Sequence, residues 1–229
     1  MDAIRIGLPT SSQAARVINP KKFDTYVKEK QRERKLGIEL SLDANARPLA
    51  WGNAMESYVF NNYLDTSYTL ESKNTDLHPS GNWCGTKDVK KKNLVGDIKC
   101  PFTRASFCDL VEIIEKKSIE VFKKDEPDYY WQLVSNSILC SVDFAELIVW
   151  YPYASEIPAI LEHISNIDDF ELQKGVDWIN YDHDRKQTPY MPDTSKYKNI
   201  NRFVFEVPKV DKELLETQMR LAYQKIIAL

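Results

Sequence analysis

Lys99 is followed by Cys100-Pro101, and this proline is the firmest structural mark in the chain. Proline lacks the ladder N–H, so the run that begins at Asn93 must end there as a strand. Upstream, Trp83 to Lys90 is also strand-like, and Lys91-Lys92-Asn93 supplies a short polar turn between the two runs. Together they read as a hairpin whose second strand stops at Lys99. Side chains two apart on a strand share a face, so Asp97 and Lys99 project together. Asp88, on the first run, comes beside Asp97 when the hairpin closes.

The other elements read more coarsely. Pro20 to Lys35 is a charged helix stopped by Gly37, and Leu49 to Leu64 is a second helix with Met55, Val59 and Tyr63 on one face. Ser106 is a candidate cap, with Asp109 as its box partner. Leu110, Ile113, Ile114, Lys117 and Val121 follow at helical spacing. Asp125-Glu126-Pro127-Asp128 opens a third long helix, with proline early and acids in the first turn. Ala145 to Tyr151 is the most apolar strand, and Asn201 to Val207 alternates as a weaker one. From Asp211 a last helix lines up Leu215, Met219, Ala222 and Ile226, a stripe for the core or a subunit contact.

Composition removes several function classes. With only 7 glycines and neither a Gly-x-x-x-x-Gly-Lys-[Ser/Thr] nor a Gly-x-Gly-x-x-Gly run, P-loop and Rossmann chemistry lose their main support. The 4 cysteines form no Cys-x-x-Cys pair, so a zinc ribbon has no spacing to rest on. No apolar run approaches the ~20 residues of a membrane span, and the N-terminus does not read as a signal peptide. The expectation is a reduced, cytoplasmic protein with free thiols and no membrane partner. Net charge is -3, but it is uneven. Residues 16–35 carry eight basic and three acidic side chains, 86–104 six and two, and 143–184 one and ten. Any nucleic-acid contact must use the local basic segments. Lys87, Lys90, Lys91 and Lys92 are the first candidates, with the 21–35 helix in reserve.

Two carboxylates and an ammonium converging at a strand end suit one kind of chemistry. Carboxylates match Mg²⁺, or Mn²⁺, hard cations held by few protein ligands and several waters. Such a metal polarises a phosphoryl oxygen and activates water, which a lysine can orient or deprotonate. An Asp-x-Lys triplet alone equally fits a surface hairpin with solvated charges.

The flanking residues add context. Asp88, Asp97 and Lys99 at this spacing resemble the PD-(D/E)XK nuclease pattern. Asn45-Ala46-Arg47-Pro48-Leu49-Ala50-Trp51-Gly52-Asn53-Ala54-Met55-Glu56 resembles the Gly-x-x-x-Glu helix of phage lambda-type (YqaJ-like) exonucleases. Asp97-Ile98-Lys99-Cys100-Pro101-Phe102-Thr103 is similar to that family's catalytic strand and exit. Tyr129-Tyr130-Trp131-Gln132-Leu133, then Phe144 to Tyr151, are similar to its glutamine-bearing helix and following strand. Three positions depart from the pattern: Lys87 replaces proline before Asp88, Asp97 stands where glutamate is usual, and Asn136 replaces an aromatic found in related nucleases.

The resemblance implies an α/β fold with a central mixed sheet flanked by helices, a restriction-endonuclease-like core. It implies one nuclease domain over 1–229, with an N-terminal helical segment (1–44), a catalytic core (45–153) and a C-terminal strand and helices (154–229). It further implies Asp88, Asp97, Glu56 and the backbone carbonyl of Ile98 as metal ligands, Lys99 as catalytic lysine and Gln132 lining the site. Thr103 and Arg104 become candidate DNA contacts. Arg34-Lys35-Leu36-Gly37-Ile38 with Ser41 resembles the family's DNA-end segment, adding Arg34 and Lys35. The implied activity is Mg²⁺-dependent 5′-to-3′ digestion of linear duplex DNA ends in phage-type recombination. A single-strand annealing protein and a homo-oligomeric ring, such as a trimer, are the implied partners. The competing readings are an endonuclease on the same core and a non-catalytic DNA-binding module.

Overall fold

A computed structural model describes residues 5–40 and 47–228. Ser41, Asn45 and Ala46 lie outside the described residues. The chain enters through a 3-10 turn (Ser11–Gln13) and helix α1 (Ala14–Ile18). Helix α2 (Pro20–Leu36) starts as its sequence dictates: Pro20 fits the first turn, and the Asn19 side chain accepts from the Lys21 N–H at 2.9 Å. Gly37 ends it at φ +74°, where a side chain would be strained. Helix α3 (Arg47–Tyr63) buries Trp51, Met55 and Val59.

Five strands follow: β1 (Thr69–Leu70), β2 (Thr75–Leu77), β3 (Cys84–Thr86), β4 (Val89–Lys91) and β5 (Leu94–Lys99). The expected single strand over 83–90 is therefore two. β3 pairs with β2 in a separate small sheet, and β4 pairs with β5. The break falls at Lys87-Asp88, so Asp88 sits in a bend just before β4 rather than within a strand. Its cause is the change of pairing partner between Thr86 and Val89.

Next come α4 (Arg104–Glu115), α5 (Ile119–Asp125) and α6 (Pro127–Leu139). The cap of α4 is Thr103, not Ser106; the Ser106 N–H is the donor, 3.2 Å from Thr103 Oγ1. The stretch from Leu110 to Val121 is also two helices. Lys117 turns left-handed at φ +48°, and Ser118 Oγ accepts from the Val121 N–H to start α5. A serine that can satisfy a backbone donor in this way competes with a continuous helix. The remainder is β6 (Phe144–Trp150), α7 (Ile157–Ser165), α8 (Phe170–Val176), α9 (Trp178–Tyr181), β7 (Ile200–Glu206) and α10 (Lys209–Ile227). Among the described residues no helix is long and apolar enough to cross a membrane.

The main sheet has the order β1-β4-β5-β6-β7. Only β5 and β6 run parallel, so the sheet is mixed, as expected. From Ala145 onward β6 is buried on both faces, which explains its unbroken apolar run. Val95, Leu147 and Val149 face one core with α4, α6 and α10. Ile98, Ile148 and Trp150 face the other, with α3 and α7. The stripe Leu215, Met219, Ala222 and Ile226 closes the first core; each of the four is fully buried. On the second face lies a buried polar cluster. Glu146 accepts from Arg202 Nε at 2.6 Å and from Tyr68 Oη at 2.8 Å, and Arg202 also donates to Tyr68 Oη.

Candidate active site

Strand β5 delivers Asp97 and Lys99 to one end of the sheet. Lys99 Nζ lies 2.6 Å from Asp97 Oδ2, so the same-face expectation holds. Asp97 is fully buried beneath α6, and Gln132 Nε2 donates to its other oxygen at 2.9 Å. Asp88 reaches in from the bend, where its carboxylate accepts from the Ile98 N–H at 2.7 Å. That bond fixes the backbone of Ile98, while the Ile98 side chain packs into the α3 core. Glu56, half-buried on α3, completes the group and interacts electrostatically with Lys99 and Asp97.

The crowding of carboxylates shows in their acidities. Burial, then the charges of Asp97 and Glu56, push Asp88 well above the usual carboxylate range. Burial likewise raises Glu56 to about 7, against the pull of the Lys99 ammonium and with a further push from Asp97. Burial works against the charged form of Lys99, but Asp97 and Asp88 outweigh it and move its pKa upward. Lys99 is therefore an ammonium at neutral pH. Its Nζ also lies 5.0 Å from the centre of the Tyr129 ring, a cation over an aromatic face.

These groups fit a hard divalent cation. Asp97 Oδ2 is buried, with the Lys99 ammonium 2.6 Å away. Among the described residues no three His, Cys, Asp or Glu side chains are grouped to hold a metal. Mg²⁺ needs no such cage; one or two carboxylates and several waters suffice. Asp88 and Asp97 can supply the two, and the Ile98 carbonyl is an oxygen donor of the same class.

A cavity of about 410 Å³ opens beside Glu56 and Lys99. Its walls come from the first turns of α3 (Pro48, Leu49, Gly52) and from Phe102, Leu110 and Tyr129. Gly52 lies inside α3, where glycine costs about 1 kcal/mol relative to alanine.

The expected DNA contacts scatter. Thr103 is at the cavity rim, but its hydroxyl caps α4. Arg104 turns away, its Nε donating to the Tyr190 carbonyl at 3.1 Å. Lys91 pairs in register with Leu94, so it and Lys92 sit at the turn end of the hairpin, opposite Asp97 and Lys99. Lys91 lies 3.6 Å from Asp65. Lys87 is no surface contact: it is 4% exposed and bonded to Asp76, with Glu71 at 3.8 Å. Arg34 and Lys35 are exposed on the last turn of α2, and the Arg34 side chain covers Gly7. Sequence reasoning passed over Tyr129. Its position three residues before Gln132, hence on the same helix face, was the available signal.

Among solved structures the chain is similar to an alkaline exonuclease, LHK-Exo, from Laribacter hongkongensis. The TM-score is 0.64 at 14% identity, over 98% of this chain and 90% of that one. It is similar to LHK-Exo in complex with dAMP, with TM-score 0.62 and 15% identity over 99% and 91%. A phage-related exonuclease from Haemophilus somnus 129PT also gives TM-score 0.62 and 15% identity, over 96% and 93%. The chain shares its fold with these exonucleases. No family model and no curated protein matches the sequence. The exonuclease fold extends over nearly the whole chain, well beyond the 45–153 stretch whose motifs carry the resemblance.

Proposed function

We propose that the chain is a Mg²⁺-dependent DNA exonuclease that hydrolyses phosphodiester bonds at the ends of linear duplex, from the 5′ end, in phage-type recombination. The observation that carries this reading is the convergence of Asp88, Asp97 and Lys99 at one strand end, on a fold shared with exonucleases. Asp97 and Asp88 would hold the cation, with the Ile98 carbonyl beside them. When bound, Mg²⁺ supplies Lewis-acid polarisation of the phosphoryl group and lowers the pKa of water.

The chain's own residues do the rest. Lys99, kept as an ammonium by its acidic neighbours, orients the attacking water and faces the charge that builds on the phosphoryl oxygens. Glu56, within electrostatic reach of Lys99 and Asp97 at the cavity, is the carboxylate placed to accept a proton. Gln132 holds Asp97 in position. We further propose a homo-oligomeric ring around the DNA, working with a single-strand annealing protein. The exposed Val210, Leu214 and Leu221 on the outer side of α10 support a self-contact, and light scattering tests it.

The test of the activity is digestion of matched linear and closed circular duplexes with Mg²⁺ and with EDTA. The expected result is Mg²⁺-dependent release of nucleotides from the linear form alone. Cleavage of the closed circle at a comparable rate would make the chain an endonuclease.

A further inference from the structure

The two edges of the main sheet are unlike. β1 ends one side with two residues, whereas β7 ends the other with seven. At the two ends of the β6–β7 ladder, the Val207 N–H donates to the Asp143 carbonyl at 2.9 Å and the Tyr151 N–H to the Asn199 carbonyl at 2.8 Å. Residues of an antiparallel pair alternate between bonding inward and pointing outward. The odd-numbered residues of β7 therefore bond β6, and the N–H and C=O groups of Arg202, Val204 and Glu206 point away from the sheet. Among the described residues no strand or side chain bonds these outward groups. Unpaired edge groups of this kind are a template for another strand.

The side chains on that edge decide which strand fits. Arg202, Val204 and Glu206 are exposed along one face, and Phe203 and Phe205 alternate with them on the buried face. For two β7 strands running antiparallel, the register follows from the residue on the two-fold axis. With Arg202 or Glu206 there, like charges meet. With Phe203 or Phe205 there, a charge lies opposite Val204. With Val204 on the axis, Arg202 of each copy lies opposite Glu206 of the other, Val204 meets itself and Phe203 lies opposite Phe205. Opposite charges and aromatic pairs directly across a ladder are favourable, and like charges are not. Arg202 gives Nε to Glu146 and one Nη to Tyr68. A guanidinium has five N–H donors, so it can hold a second carboxylate as well. Pro208, which lacks an N–H, ends the ladder just beyond Glu206.

We propose that β7 is a docking edge for a second copy of this chain, the two strands pairing antiparallel about Val204 into one continuous sheet. The charges on the edge repel an apolar strand but attract this one, because the Arg202–Val204–Glu206 pattern is complementary to its own reverse. The contact is two-fold, so it joins copies in pairs. It is separate from the α10 self-contact and neither needs it nor replaces it. It is also independent of the nuclease reading, since β7 stands two strands away from β5.

The test is the mass of the full chain by light scattering over a dilution series, for the wild type, Glu206→Arg and Val204→Pro, with a cross-linking arm. The wild type should contain an even number of copies. Glu206→Arg sets basic side chains against each other at both ends of the seam. Val204→Pro removes an outward N–H that β6 does not use. Each should weaken pairing by roughly tenfold or more, read as half the wild-type mass on dilution, with an unchanged circular dichroism spectrum. In the cross-linking arm diamide takes up the two thiol hydrogens as a disulfide forms. Val204→Cys should cross-link to its copy, because the Cα atoms of a bonded cross-strand pair lie about 5.5 Å apart. Glu206→Cys should not, since its copy lies about 14 Å away along the strands. The wild type, with its native cysteines, is the control. A wild type with one copy or an odd number of copies overturns the pairing. So does an unchanged mass in both variants, or Glu206→Cys cross-linking as readily as Val204→Cys.

Discussion

Two fully buried acids stand on neighbouring strands, Asp97 on β5 and Glu146 on β6, each paired with a basic side chain. They face opposite sides of the sheet and differ in the charge around them. Glu146 has hydrogen bonds on both oxygens, from Arg202 and Tyr68, and those two partners also bond each other. Asp97 has a hydrogen bond from Gln132, the Lys99 ammonium at 2.6 Å, and two further carboxylates nearby. A closed cluster such as that of Glu146 holds a fold. The Asp97 cluster gathers three carboxyl groups around one ammonium, a crowding that a bound cation would relieve. The same residue types in the same sheet thus form a closed structural cluster on one face and the candidate site on the other.

The comparison predicts opposite mutational signatures. Asp97→Asn should lower Mg²⁺-dependent cleavage by about 10³-fold or more, because a metal contributes several kcal/mol to such a transition state. Its unfolding midpoint should stay within a few degrees of the wild type by thermal denaturation. Lys99→Ala should slow single-turnover cleavage by roughly 10²–10³-fold, the scale for removing one preorganised charge contact. Metal binding by calorimetry should persist in that variant. Glu146→Ala should do the reverse. Leaving Arg202 without its partner should cost about 3–5 kcal/mol in urea unfolding, towards the lower end because the Arg202 side chain is 37% exposed. Its cleavage rate under folding conditions should remain within a few-fold of wild type.

A smaller effect lies in pH. The folded pKa of Glu56 is raised to about 7 from an ordinary 4.5, so the metal-free folded state holds a proton that the unfolded chain releases. The stability contributed by that proton is complete below about pH 4.5 and is lost as pH rises through about 7. Metal-free protein should therefore show a falling thermal midpoint across this window, and Glu56→Gln should flatten the fall. A Glu56→Gln profile parallel to the wild type would show that Glu56 is an ordinary exposed carboxylate.

The candidate-site end of β5 was legible because its determinants are local. The two-residue strand period places Asp97 beside Lys99, Pro101 ends the strand, and Gln132 follows a proline that opens its helix. Glu56 was legible through the residues around Gly52, not through periodicity. The misread features are decided by distant partners or by side-chain capping. Lys87 looks like a surface lysine until Glu71 and Asp76 fold over it. The Glu146 cluster joins residues 68, 146 and 202, and no local pattern announces it. The strand break at Asp88 and the helix break at Lys117 arise from partner exchange and capping, which apolar spacing does not encode.

The most direct test of the metal-nuclease assignment is single-turnover digestion of 5′-end-labelled linear duplex by wild type, Asp97→Asn and Glu146→Gln, each with Mg²⁺ and with EDTA. The assignment predicts rapid Mg²⁺-dependent release of label by wild type and by folded Glu146→Gln, and none by Asp97→Asn or in EDTA. Digestion by Asp97→Asn at the wild-type rate, or by wild type in EDTA, would contradict it.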